Sequence, residues 1–212
     1  MAQVQKKNYQ KELDLILDGI LKAGTRPRLL LHACCAPCSS YVLEYLSGYF
    51  DITLFFYNPN MDSREEYDKR RAELERLVAS MGLDIKVLAP DYDPKEFYET
   101  VRGHEKDQER GERCGLCFRL RLRRTAELAR EARDRGEPYD YICTTLSISP
   151  LKDAALLNLI GQEEASRLGE HFLSSDFKKR EGYKRSIELS EKYGLYRQDY
   201  CGCVFSKVDR GA

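Results

Sequence analysis

Seven of the eight cysteines in this chain fall into three tight groups. Cys34, Cys35 and Cys38 follow the apolar run Leu29-Leu30-Leu31. Cys114 and Cys117 stand three apart, and Cys201 and Cys203 flank Gly202 near the C-terminus. Thiolates bind metals and pass electrons, and a helix N-terminus favours the thiolate over the thiol. The first group sits where a strand reads as ending and a helix as beginning. The three-residue offset of the second puts both side chains on one face of a helical turn. Its lead-in, Glu109–Arg113, reads as loop rather than strand, which favours a ligand pair over a thioredoxin-like redox pair.

Two metal readings of these five thiols stand side by side. In one, Cys35/Cys38 and Cys114/Cys117 form two C-x-x-C pairs around a tetrahedral structural zinc. In the other, Cys34 and Cys35 join Cys114 and Cys117 around a four-iron cluster. Side chains of adjacent cysteines are expected to diverge, too far for one tetrahedral ion but suited to two corners of a cluster. The third group differs. A disulfide across one residue closes a strained ring, and strained disulfides are the labile, redox-active kind. Gly202 permits the tight turn, so Cys201 and Cys203 read as a mobile dithiol that relays two electrons. Isolated Cys143 lies inside a strand pattern and reads as core.

The elements that must position these thiols are legible from periodicity. Helical spacing covers residues 8–23, where Gly24 is a stop. Arg28–His32 is a buried-strand pattern, and 37–47 is helical with Pro37 in its first turn. Asp51–Tyr57 is a second strand, closed by Asn58-Pro59-Asn60. Ser63 and Glu66 make a capping-box pattern for a helix to about Met81. Leu83–Leu88 is a third strand, and a short helix runs from Pro94 to about Arg102. A long helix is expected from Cys114 to Asp134, a fourth strand over Tyr139–Thr144, and helices over 152–168 and 182–193. Phe172–Ser174 reads as a short fifth strand. Strands alternating with helices predict an α/β fold with a parallel sheet covered on both faces. Ligands in such sheets sit beyond the carboxyl ends of the strands, where the first cysteine group falls. The expected organisation is one domain over 1–212, with 1–26 as a helical appendage and 195–212 as an irregular redox tail.

Composition sets the limits. Lysine plus arginine and aspartate plus glutamate each total 35, so a polyanion would have to be met by local patches rather than by net charge. No apolar run approaches the roughly 20 residues of a membrane span, so no membrane partner is expected. The start, Met-Ala-Gln-Val-Gln-Lys-Lys, lacks the apolar core of a signal peptide. The expected location is the cytoplasm, where clustered thiols are metal-binding or catalytic rather than structural disulfides.

The sequence His32-Ala33-Cys34-Cys35-Ala36-Pro37-Cys38, the pair Cys114/Cys117, the stretch Thr144-Thr145-Leu146-Ser147-Ile148-Ser149-Pro150 and the tail from Tyr183-Lys184-Arg185-Ser186 through Tyr200-Cys201-Gly202-Cys203 together resemble the cobalamin-independent epoxyqueuosine reductases, the QueH family. The resemblance spans roughly 28–206. It implies a Rossmann-like sandwich similar to the adenine nucleotide α-hydrolases and the last step of queuosine synthesis, loss of the epoxide oxygen of epoxyqueuosine in tRNA. It also implies a [4Fe-4S] cluster on Cys34, Cys35, Cys114 and Cys117, and a redox-active disulfide of Cys201 and Cys203. Cys38 is left as ligand of a second metal ion, here iron, as a cluster spare or as a reactive thiol. Fold relatives that use ATP carry a Ser-Gly-Gly-x-Asp-Ser loop after the first strand. Ala-Cys-Cys-Ala-Pro-Cys stands there instead, so ATP use is not expected.

A tRNA substrate calls for local basic surface. Lys178, Lys179, Arg180, Lys184 and Arg185 are favoured as phosphate contacts. Arg119, Arg121, Arg123 and Arg124 are balanced between that role and ordinary helix faces paired with Glu127 and Glu131. Tyr183 and Tyr196 are candidates for base stacking or core packing. Asp62, Asp91 and Asp93 lie near the crevice, with loop capping their commoner role, and His32 alone among the histidines is placed to hydrogen-bond a sulfur. An unidentified electron donor completes the partners. Three other classes remain to be tested: a zinc-stabilised RNA-binding module, an ATP-dependent tRNA-thiolating enzyme and a general disulfide reductase.

Overall fold

The structure, a computed structural model, describes residues 7–208. The first six residues of the expected appendage and the last four of the expected tail lie outside the described residues. β1 (Arg28–His32), β2 (Asp51–Phe55), β3 (Lys86–Leu88) and β4 (Tyr141–Thr144) form one parallel sheet in the order β3-β2-β1-β4. β1 lies in the middle, and Leu29, Leu30 and Leu31 are fully buried. That is why its sequence is a continuous apolar run rather than an alternating one.

The helices are α1 (Tyr9–Ala23), α2 (Ala36–Leu46), α3 (Arg64–Ser80), α4 (Lys95–Thr100), α5 (Glu112–Asp134), α6 (Ala154–Arg167), α7 (Gly182–Lys192) and α8 (Val204–Val208). The caps follow sequence chemistry. Gly24 ends α1 in the left-handed region with φ 61°, and Ser63 Oγ accepts from the Glu66 amide at α3. A core around Leu31, Leu43, Leu54 and Leu74 lies on one face of the sheet, and Leu30, Phe55, Ala126, Ala129 and Ile142 pack on the other.

Two expectations change. Phe172–Ser174 is not a strand: Phe172 makes one isolated parallel bridge to Ile142. The Asn158 side chain then captures the backbone, accepting from the Ser175 amide at 2.9 Å and donating to its carbonyl at 2.8 Å. That draws the chain off the sheet edge. The expected irregular tail also contains a turn of helix, α8, too short to show a periodic pattern.

β1 continues to β2 on one side, while β4 pairs on its other side, His32 opposite Thr144. The strand order reverses between β1 and β4. A crevice at the carboxyl end of such a switch point is where ligands of open α/β sheets bind.

Candidate metal and dithiol site

Cys34 and Cys35 occupy that switch point. The Cys34 amide donates to Thr145 Oγ1, just beyond β4, at 3.3 Å. Cys35 is the N-cap of α2, Pro37 lies in its first turn, and no side chain caps it. The Sγ atoms of Cys34, Cys35 and Cys38 lie within 4.8 Å of one another, a group able to hold a metal ion. Those of Cys34 and Cys35 are 3.7 Å apart. The expected divergence of adjacent side chains is therefore not found. A bend at Cys34 precedes the extended backbone of Cys35 (φ −171°, ψ 165°), and the two thiols converge. Their spacing is close to the ~3.8 Å edge of a tetrahedral thiolate site with ~2.3 Å metal–sulfur bonds.

Cys114 and Cys117 stand on the first turns of α5, which begins two residues before the expected start. Cys201 and Cys203 complete the arrangement, their sulfurs 3.4 Å apart. A cavity of about 240 Å³ is lined by Cys34, Cys35, Cys38 and Cys201, and a neighbour of about 50 Å³ by Cys114, Cys117, Cys201 and Cys203. Glu109, Arg121, Leu151, Lys152 and Cys201 line both. Three stretches of chain thus bring seven thiols to one place, and Cys201 stands between the two groups. Cys143 stays apart, fully buried, with its Sγ 3.2 Å from the Leu173 carbonyl.

The dithiol loop is pinned rather than loose. The Asp62 amide donates to the Gly202 carbonyl at 2.8 Å, and the Asp62 carboxylate takes hydrogen bonds from Tyr200 and Lys207, both at 3.1 Å. Arg70, 2% exposed and paired with Glu66 at 2.6 Å, donates to the Cys201 carbonyl at 3.3 Å. Gly202 has φ 108°, and an added Cβ would strike Met61.

The thiols are not equivalent. Hydrogen bonds from Cys35 and then Cys38 hold Cys34 well below the ordinary thiol range, against the effect of burial. Cys35, a donor to Cys34, is pushed up to about 11, and Cys38 is raised by the same pattern. The trio is poised as one thiolate and two thiols, so metal binding there would release protons. At the dithiol, the Cys203 hydrogen bond, aided by Lys152 and Ser206, lowers Cys201 to about 5. Cys203 is raised in return. Burial first, then the nearby Cys201, pushes Cys117 up to about 11 and raises Cys114.

Two cations face the thiols, Arg121 buried and Lys152 half-buried. Arg121 is 3% exposed and lies against His32, its Nε 3.3 Å from Nε2, with a second contact to the Asn58 side-chain oxygen. Lys152 lines both cavities. Neither makes an ion pair with a carboxylate among the described residues. Arg121, expected with Arg119, Arg123 and Arg124 at phosphate or on an acid-paired helix face, instead faces inward, because its position on α5 falls on the buried stripe with Cys117 and Leu120. His32 is fully buried, its Nδ1 2.9 Å from Thr144 Oγ1 and its Nε2 3.1 Å from the Tyr57 carbonyl. Burial, then Arg121, lowers it to about 3 and keeps the ring neutral. It orders the crevice wall. Asp93 caps α4, accepting from the Lys95 amide at 3.0 Å.

A family model described as "Epoxyqueuosine reductase QueH" matches residues 29–209. The chain belongs to the QueH family. The Epoxyqueuosine reductase QueH of Streptococcus pyogenes serotype M1 is 40% identical over 211 residues, 98% of this chain and 81% of the relative. That of Staphylococcus epidermidis is 39% identical over 213 residues, 98% and 87% of the two chains. That of Thermotoga maritima is 35% identical over 185 residues, 86% and 91%. In this QueH chain, the motifs that suggested the family are the ones that line the two cavities.

The basic stretch of the sequence is largely neutralised. Lys178 pairs with Asp176 at 2.8 Å, Arg180 with Asp14 at 2.6 Å, Lys184 with Glu181 at 3.7 Å, and Arg185 with Glu44 and Glu188 at 2.8 and 2.9 Å. Arg119, Arg123 and Arg124 are likewise paired, as with Glu163, Glu96 and Glu131. Tyr183 lines the larger cavity; Tyr196 instead stacks under Lys69, with Nζ 3.3 Å from the ring centroid. Among the described residues, no helix is long and apolar enough to cross a membrane.

Proposed function

We infer that this QueH chain is an epoxyqueuosine reductase, an oxidoreductase that removes the epoxide oxygen of epoxyqueuosine in tRNA to give queuosine. The observation that carries this beyond family membership is the convergence of seven thiols on two adjoining cavities at the switch point. Conversion of the epoxide to an alkene takes up two electrons and two protons, and the oxygen leaves as water.

The donor set suits an iron–sulfur centre. It is all thiol, and Arg121 and Lys152, which make no carboxylate ion pair among the described residues, would balance an anionic group. Cys34, Cys35, Cys114 and Cys117 would hold a [4Fe-4S] cluster, which supplies electrons one at a time, and Cys38 would serve an additional iron ion. The Cys201/Cys203 dithiol reloads the centre between turnovers, giving up an electron pair as it closes to a disulfide, and an external electron donor reopens it. Arg121 and Lys152 place positive charge where the epoxide oxygen becomes negative. Because Cys201 is the more acidic thiol, it is the better leaving group when a thiol donor attacks the disulfide at Cys203.

For tRNA, Lys179 makes no ion pair among the described residues. With Lys11, Lys152, Lys178 and Arg180 it lines a groove of about 890 Å³ that meets the thiol cavities at Lys152. Phosphate contact there is the reading we favour, with Lys184 and Arg185 as neighbours held by acids. The protein acts in the cytoplasm, with tRNA.

The test is anaerobic purification with iron and acid-labile sulfide measured per chain, followed by conversion of epoxyqueuosine-containing tRNA under a chemical reductant. About four iron and four sulfide per chain, with product formed, is expected. Iron exceeding sulfide by about one would support the additional ion. Zinc without sulfide, and no product, would overturn the reading.

A further inference from the structure

The segment Asn58-Pro59-Asn60 closes β2, and its two asparagines behave differently. Both are buried, at 0% and 1% exposure. Asn58 is satisfied: its Nδ2 donates to the Ala33 carbonyl at 2.9 Å and its Oδ1 accepts from Arg121. Among the described residues, Asn60 has no hydrogen-bond partner at either Nδ2 or Oδ1. It lines the smaller cavity together with Cys114, Cys117, Cys201 and Cys203. A buried primary amide without partners is costly, and native folds keep few of them.

Asn60 is not alone. In the larger cavity, on the other side of Cys201, Arg70 Nη2 and Gln198 Oε1 also lack partners among the described residues. Unsatisfied donors and acceptors thus flank Cys201 on both sides. A neutral amide offers one acceptor and one NH₂ donor, and its natural complement is a neutral group that both donates and accepts, such as a hydroxyl. The inference rests on the reductase reading, in which the epoxide must enter the thiol-lined cavities and brings its hydroxyl-bearing ring with it. We propose that Asn60 is a substrate-binding residue whose side-chain amide hydrogen-bonds the hydroxylated ring that carries the epoxide.

The test is Asn60→Leu, which keeps the shape of the side chain and removes its polar atoms. The anaerobic, metal-loaded protein is melted, its iron and sulfide are counted, and its steady-state kinetics are measured on epoxyqueuosine-containing tRNA. Removing an unpartnered buried amide should raise Tm by about 2–4 °C. Iron and sulfide should equal the wild type, affinity for the tRNA should change by less than about threefold, and kcat/KM should fall about 100-fold. A fall in Tm would show an amide with a structural partner, such as a bound water, and overturn the proposal. So would unchanged kcat/KM, or a loss of iron in step with activity. If Asn60→Leu does not fold, Asn60→Ala is read by the same measurements. An inactive wild type would sink the reductase reading instead. The melting comparison would then still decide whether the amide faces a ligand.

Discussion

The thiols at the end of β1 and those at the C-terminus sit within one pair of cavities, yet they are held in different ways. Cys34 and Cys35 are fixed by the sheet: β1 is the central strand, and the Cys34 amide is tied across the switch point to Thr145. Cys201 and Cys203 are fixed by side chains from elsewhere, through Asp62, Arg70 and Tyr200. The first arrangement cannot move without disturbing the core. The second can be released by breaking a few exchangeable hydrogen bonds. Ligands of a resident metal need the former. A dithiol that must close, be reached by an electron donor and open again needs the latter.

The largest effect expected from breaking this contrast is on the strand side. Cys35→Ala should strip most bound iron and lower activity by at least about 100-fold, measured as iron per chain and kcat/KM. Retained iron with full activity would remove Cys35 from the ligand set. Cys201→Ser should keep its iron and complete a first turnover when pre-reduced, while multiple turnover drops by more than about tenfold. Loss of the first turnover would move Cys201 from reloading into the chemical step. The same residue gives a pH signature. A thiol lowered to about 5 is thiolate above that pH, so its alkylation rate should be flat from pH 7 to 6 and fall below pH 5. A rate that instead climbs through pH 8–9 would contradict the Cys203 hydrogen bond.

Gly202→Ala sharpens the comparison more gently. Its φ of 108° disfavours any side chain, and the new Cβ meets Met61. Displacement of the loop should slow multiple turnover about fivefold, with iron content unchanged. The smallest effect is expected far from both thiol groups. Lys179→Glu should weaken tRNA binding about two- to threefold at physiological salt and reduce the slope of affinity against salt, read by fluorescence anisotropy. An unchanged slope would place the phosphates elsewhere.

The parallel α/β sheet and the grouping of thiols along the chain were legible because both rest on local signals. An apolar run at Leu29–Leu31, a proline in the first turn of α2 and a C-x-x-C pair each have a meaning within a few residues. The cations of the site were not. Arg70, Arg121 and Lys152 come from α3, α5 and the loop before α6, and neither Arg70 nor Lys152 has a cysteine close to it in sequence. Burial of Arg121 could have been suspected from its phase on α5, where it falls with Cys117 and Leu120 at 3–4 spacing. The stretch 178–185 misled in the opposite direction. It looks strongly basic in sequence, but its neutralising carboxylates, Asp14 and Glu44, arrive from α1 and α2. The convergence of Cys34 and Cys35 depends on a single backbone bend, which no composition rule encodes.

The neutral His32 ring has a consequence for handling the protein. In an unfolded chain this imidazole gains a proton near pH 6.5, whereas in the fold it resists until about 3. Its contribution to stability is therefore complete above pH 6.5 and declines as pH falls between those values. The ring bridges β4 and the residues just after β2, so the loss is felt at the carboxyl edge of the sheet first. An acid quench, a common way to stop a reaction, would thus loosen the crevice and spill its contents along with the product. A chelator trap added with the acid should capture iron faster at pH 4 than at pH 7, and His32→Gln, which cannot take a proton, should blunt that difference.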